Sequence, residues 1–368
     1  MRPTRAVIDL DAIASNYRFL RDRVTPGRAM FCVVKADAYG HGASPVAKRL
    51  EREGANRFAV AIAEEGIGLR RAGVGGEIVL LNYSDPADAG LHRAYGLVPA
   101  LYDLEQTAGF VEATRSWREP LPVHVKLDSG MGRIGFRPEE MPLLIGILKR
   151  ATGLRVAGAF SNLASAEDHA SPSTARQVEA MKSAVAALSS AGVSPGIVHL
   201  ANSAGLLFHP ASWFDGVRPG LALYGIAPEK SEAAQNLTSA MTLETRVMSL
   251  HAVPAGTPLG YGGRYVTARP SQIAVLPIGY HDGFRRSFSG SVRVLMRGRE
   301  APVVGAVSMD LTLVDATDLA VGPGDRAVCL GADGDLRVTA WDLAHAADTI
   351  PYEILCGIGA RVPRVYRP

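Results

Sequence analysis

The chain has 368 residues, of which 47% are hydrophobic and 20% charged, with a formal net charge of +3. That composition excludes a disordered chain, which would be far more polar, and near-neutrality without a Lys/Arg run argues against nucleic-acid binding. Cys32, Cys329 and Cys356 lie far apart with no CxxC, so they make neither a disulfide framework nor a zinc site and suit a reducing, cytoplasmic compartment. Asp9 and Asp11 interrupt any apolar core behind Arg2 and Arg5, so no secretory signal is expected. No stretch reaches the ~18 apolar residues of a membrane helix.

In chain order, short apolar runs alternate with amphipathic stretches. The runs are 29–34 (AMFCVV), 58–62, 78–81, 97–101, 121–127 (LPVHVKL), 154–160 (LRVAGAF), 197–200 (IVHL) and 221–224 (LALY). Between them, Ile13, Tyr17, Leu20 and Val24 recur at helical spacing, as do Leu104, Ala108 and Val111, and then Val178, Met181, Val185 and Leu188. Continuous apolar strands alternating with helices predict a parallel sheet covered on both faces. Eight such units favour a closed (β/α)8 TIM-type barrel over a doubly wound open sheet, and no GxGxxG follows the first strand. Residues 226–240 are polar and read as a boundary. Beyond them, β-rich runs at 245–253, 271–276, 292–296, 302–307, 311–315 and 326–330 are separated by Gly and Pro, predicting a mostly-β C-terminal domain. The expected division is a barrel at 1–230 and a β domain at 231–368, with the first strand, 4–9, a candidate to pair with the second domain.

Functional groups of such a barrel project from the C-terminal ends of its strands. After FCVV come Lys35, Asp37, Tyr39, Gly40, His41 and Gly42; after PVHV, Lys126, Asp128, Gly130 and Arg133; after AGAF, Ser161 and Asn162; after IVHL, Asn202, Ser203 and Gly205. Arg218, Pro219 and Gly220 precede LALY. No metal site is expected, because His41, His124, His169 and His199 lack paired ligand spacing. Lys35 ends an apolar strand, where it is either a rim lysine snorkelling to water or a Schiff-base lysine whose amine is depressed by desolvation. Glycines at 40 and 42 suit close backbone approach to a ligand.

VVKADAYGHG at 33–42 resembles the pyridoxal-phosphate lysine motif of alanine racemases. The resemblance continues in order through KLDSGMGRIGF (126–136), HLANSAG (199–205), VRPGLALYG (217–225), GYGGRY (260–265), IGYHDG (278–283), VSMD (307–310) and PYEILCGIGARVPRVY (351–366). It implies an isomerase that interconverts L- and D-alanine by two bases through a pyridoxal 5'-phosphate aldimine and supplies D-alanine for peptidoglycan. It further implies that Lys35 carries the cofactor and serves one face. Tyr261, from the partner subunit of a homodimer with shared sites, would serve the other and would need a cation-rich surrounding to ionise.

By the same resemblance, Arg218 faces the pyridine nitrogen. Tyr39, Ser203, the Gly220 and Leu221 amides and Tyr352 form the phosphate cradle. Lys126 is carried as a carbamate (N6-carboxylysine) that holds Arg133, a cofactor and substrate contact; unmodified, it would pair with Asp128. Tyr280, Met309 and Asp310 come from the second subunit and line the substrate's approach and carboxylate pocket. The sequence departs from the family at Asn162, where members usually carry a histidine stacked on the cofactor ring, and at Ser308, where many carry cysteine. Asn162 leaves open a first alternative, a racemase of serine or of a broader amino-acid set; a second, of a different class and independent of Asn162, is a non-catalytic pyridoxal-phosphate-binding protein. The second would lack the β domain and the tyrosine.

Overall fold

A computed structural model describes residues 2–168, 170–229 and 231–368; His169 lies outside the described residues. The chain forms two compact units. One comprises Ile13–Ala38 and Ala43–Leu237, the other Met1–Ala12, Tyr39–Gly42 and Thr238–Pro368.

The first unit is the barrel. Its strands are the two arms Ala29–Met30 and Cys32–Val33, then Arg57–Val60, Glu77–Leu80, the arms Leu97–Val98 and Ala100–Leu101, Leu121–Lys126, Leu154–Phe160, Ile197–His199 and Gly216–Val217. Each pairs in parallel with the next, and Gly216–Val217 returns to Ala29–Met30, which closes the ring. Closure explains why these strands read as continuous apolar runs: one face meets the barrel interior and the other the helices. The fourth strand breaks at Pro99, which has no N–H to give the ladder. The helical spacings resolve into Leu10–Arg23, Leu104–Thr114 and Ser173–Ser190.

One expected strand is something else. LALY forms a 3-10 turn, Leu221–Tyr224, and the eighth strand is the pair Gly216–Val217 just before it. A short buried apolar run has no periodicity to tell strand from turn. Here Pro219 offers no N–H and Gly220 takes φ −123°, ψ −89°, which turns the chain out of the sheet. Arg218 therefore directly follows a barrel strand.

The second unit holds one long sheet. Its order is Ser249–Val253, Ser271–Leu276, Thr312–Asp315, Arg299–Val304, Arg293–Met296, Arg326–Asp333, Met241–Arg246, Arg5–Asp9 and Arg364–Arg367. All neighbours run antiparallel except the last pair. Arg5–Asp9 thus lies between Met241–Arg246 and Arg364–Arg367. The run 245–253 divides into two strands at Val247, and two short helices, Ala340–Ala346 and Pro351–Cys356, join the β structure. Among the described residues no helix is long and apolar enough to cross a membrane, and no cluster of His, Cys, Asp or Glu could hold a metal.

Candidate active site

In the barrel unit, Lys35 is half-buried where the arm Cys32–Val33 ends. The next four residues, Ala36, Asp37, Ala38 and Tyr39, have φ of 52°, 53°, 54° and 52°. A left-handed turn of L-residues costs about 1–2 kcal/mol per residue, so it persists only where its surroundings hold it. Glu65 provides much of that hold. One carboxylate oxygen accepts from the Ala36 N–H at 2.6 Å and the other from the Ala61 N–H at 2.7 Å. The Asp37 carboxylate accepts from the Ala43 N–H at 2.7 Å. The turn stops the strand abruptly and keeps Lys35 at the rim.

Lys126 closes the strand Leu121–Lys126 and is 2% exposed. Its Nζ donates to the Leu81 carbonyl at 2.8 Å and to Asn82 Oδ1 at 3.4 Å. The expected pairing with Asp128 gives way to a different arrangement: the Asp128 carboxylate accepts from the Gly130, Met131 and Gly132 amides and so shapes the loop that carries Arg133. Burial, then the charges of Arg133, Arg218 and Lys35, pull the Lys126 amine down to about 7.

Arg218 is 3% exposed. Its Nη1 donates to His199 Nδ1 and to the His199 carbonyl, both at 2.7 Å, and its Nη2 donates to the carbonyls of Ser161 and, at 3.2 Å, Leu200. Phe160 lies 5.3 Å from both the Arg218 guanidinium and Lys126 Nζ, near enough for its ring face to ease the burial of each charge. The N-cap of the helix Ser203–Phe208 is Asn202, whose side chain accepts from the Gly205 N–H at 2.9 Å. Ser203 is thereby released from capping, and its hydroxyl accepts from the Gly220 and Ala222 amides at 3.0 and 3.2 Å. Leu221 lies between them. Asn162 is half-buried, with its carbonyl accepting from Gln177 Nε2 at 2.8 Å.

The other unit carries Tyr39, Tyr261, Tyr280, Met309, Asp310 and Tyr352. Tyr261 stands in the turn between the paired strands Pro258–Leu259 and Tyr265–Val266, flanked by Gly260 and Gly262 at φ 70° and 74°, and is 68% exposed. Tyr280 and Met309 are also exposed. Their loops are pressed together: Tyr280 N–H donates to the Ser308 carbonyl at 3.0 Å, and a Cβ on Gly279 would lie 2.4 Å from the Met309 carbonyl oxygen. Arg361 ties this region by donating to Asp310 at 2.7 Å and Asp282 at 2.6 Å. Tyr39 and Tyr352 bring their ring centroids to 5.5 Å. The close approach permitted by Gly40 and Gly42 is to the chain itself, since a Cβ at either would collide with the Leu355 carbonyl or the Tyr366 hydroxyl.

The geometry thus sorts the candidate residues into a cationic set at the ends of the barrel strands and, on the β unit, exposed Tyr261, Tyr280 and Met309 with a less exposed Tyr39–Tyr352 pair. The two parts correspond to two family descriptions: "Alanine racemase, N-terminal domain" matches residues 8–228, and "Alanine racemase, C-terminal domain" matches 240–366. The chain belongs to the alanine racemase family. The alanine racemase of Symbiobacterium thermophilum is 44% identical over 368 residues, spanning 100% of this chain and 97% of its own. Among solved structures, that of alanine racemase from D-cycloserine-producing Streptomyces lavendulae superposes with a TM-score of 0.96 at 36% identity, covering 100% of this chain and 98% of its own. The alanine racemase from Bartonella henselae with covalently bound pyridoxal phosphate gives 0.91 at 32% identity, with full coverage of both chains. An alanine racemase is an isomerase.

His124 and His199, which lack metal-ligand spacing, are brought together inside the barrel. The signal for this was a histidine set between valine or leucine neighbours in each of two apolar strands, PVHV and IVHL.

Proposed function

We propose that this chain interconverts L- and D-alanine with two bases, Lys35 on one face of the substrate and Tyr261 of a second copy on the other, with pyridoxal 5'-phosphate held in the barrel. The observation that carries the reading is the cationic set of Lys35, Lys126, Arg133 and Arg218, close enough together to depress the Lys126 amine. Such a set fits an anionic, phosphorylated cofactor. The Ser203 hydroxyl beside the Gly220 and Leu221 amides supplies neutral donors of the kind a phosphate takes. The Bartonella henselae relative, described with covalently bound pyridoxal phosphate, supports the same assignment.

Bound pyridoxal phosphate draws electrons from the substrate's α-carbon and so acidifies the α-proton. One of Lys35 Nζ and the Tyr261 hydroxyl would then take that proton from one side while the other gives its own proton from the opposite side, which is what inversion requires. Arg218, a permanent cation, opposes a proton on the ring nitrogen. That limits electron withdrawal and suits plain proton exchange over side reactions. Asn162 contributes a hydrogen-bonding edge but no aromatic face to the cofactor. Arg133 would meet the cofactor and the substrate carboxylate, and Asp310, Tyr280 and Met309 of the second copy would narrow the approach in favour of a methyl side chain. The exposure of Tyr261, Tyr280 and Met309 on a single chain is what a surface completed by a homodimer partner presents.

The Lys126 amine, substantially neutral near pH 7, is suited to adding carbon dioxide with loss of a proton, giving a carbamate that attracts Arg133 rather than repelling it. Carbon-13 spectra of the enzyme in labelled bicarbonate should show a carbamate resonance that Lys126→Gln removes; its absence from the parent would refute the modification.

Purified enzyme given L-alanine or L-serine, with and without added cofactor, tests the function by chiral chromatography. Conversion of L-alanine to an equal mixture, with kcat/KM favouring alanine over serine, is the expected result. Comparable turnover of serine would favour a broader racemase, and a cofactor-loaded protein that leaves L-alanine unchanged would favour a binding protein. D-alanine made this way would serve peptidoglycan synthesis.

A further inference from the structure

Two-base exchange does not call on the histidines inside the barrel. His124 and His199 are both fully buried. His124 Nδ1 lies 3.0 Å from His199 Nε2, and His199 Nδ1 lies 2.7 Å from Arg218 Nη1. Phe31 and Phe160 stack on the His199 ring at 4.4 and 5.2 Å, with the Phe160 plane within 4° of parallel. A register shift between Val123 and His124 sets His124 opposite Gly158, where a Cβ would lie 2.5 Å from the His124 ring. Glycine at 158 is what makes room for the imidazole.

We propose that His124 is a positioning residue for Arg218, fixing His199 as the tautomer that accepts the Arg218 hydrogen bond. A guanidinium has donors and no acceptor. His199 Nδ1 must therefore present a lone pair to it, which leaves the proton on His199 Nε2. That proton needs an acceptor, and His124 Nδ1 is the atom in place. His124 in turn carries its own proton on Nε2, which finds no hydrogen-bond partner among the described residues. A second proton on either ring would set N–H against N–H. Burial and the Arg218 charge act in the same direction, pulling His124 down to about 3 and His199 well below its ordinary range. Without His124, His199 gains access to the Nδ1-protonated form, which turns a proton toward Arg218 and releases one of its bonds. The cation facing the cofactor would then be less firmly held.

This inference rests on Arg218 being the cation that faces the cofactor, so the test reads the hydrogen-bonded row apart from turnover. Nitrogen-15 imidazole spectra of the holoenzyme should show both rings neutral and protonated on Nε2. A cationic ring, or a proton on His124 Nδ1, would overturn the proposal. His124→Phe keeps a ring against Gly158 and removes the acceptor. It should leave His199 a mixture of tautomers and lower kcat on the order of tenfold, about the worth of one hydrogen bond, with KM unchanged. His124→Asn, whose Oδ1 falls near the former Nδ1, should restore both the single tautomer and kcat. An unmoved tautomer in His124→Phe, or no rescue by His124→Asn, overturns the row. A changed tautomer with kcat intact overturns instead the placing of Arg218 at the cofactor. If His124→Phe does not fold, the parent spectrum and the His124→Asn variant still decide.

Discussion

Replacing Lys35 with alanine should lower kcat/KM for alanine on the order of 10⁴-fold, because one residue is asked both to hold the cofactor covalently and to move a proton on one face. The loss should be chemical rather than structural. Lys35 is half-buried at the rim, and the left-handed turn behind it is held by the Glu65 and Asp37 carboxylates through backbone N–H groups that an alanine keeps. Thermal unfolding and chiral turnover measured side by side check this. A folded Lys35→Ala protein that racemises alanine at the parent rate would remove Lys35 from the chemistry.

Replacing Tyr261 with phenylalanine should cost roughly 10²- to 10⁴-fold in interconversion, the range that one positioned acid–base group contributes. The distinguishing result is an asymmetry. With Lys35 intact, one enantiomer should still exchange its α-proton for deuterium in heavy water while neither converts to the other. The ring is kept and the side chain is exposed, so chain stability should move by less than about 0.5 kcal/mol. Proton NMR of each enantiomer in heavy water reads both quantities. Equal exchange of both enantiomers with racemisation intact would contradict the assignment of Tyr261.

The barrel was legible because parallel strands buried on both faces leave unbroken apolar runs, and because polar residues gather where those runs stop. Lys35 and Lys126 stood out for that reason, whereas Arg218 was read as preceding the run LALY. Other features depend on partners remote in sequence. LALY reads as a strand until Pro219 and Gly220 are seen to turn the chain away from Gly216–Val217. Asn202 and Ser203 are both competent helix caps, and only the fold gives the cap to Asn202 and the Gly220 amide to Ser203. Asp128 looked like the natural counter-ion of Lys126, but three successive amides of its own loop claim it. The histidine pair spans 75 residues of sequence, and its meaning comes from the guanidinium at its end, which fixes the direction of every proton.

Subunit mixing tests the shared, two-base site most directly. Lys35→Ala and Tyr261→Phe proteins, each inactive alone, would be co-expressed with different tags and the mixed dimer isolated. If Lys35 of one copy works with Tyr261 of the other, each mixed dimer holds one intact site of two, so about half the parent's activity per dimer should return. Mixed dimers as inactive as their parents would contradict a site built from two copies.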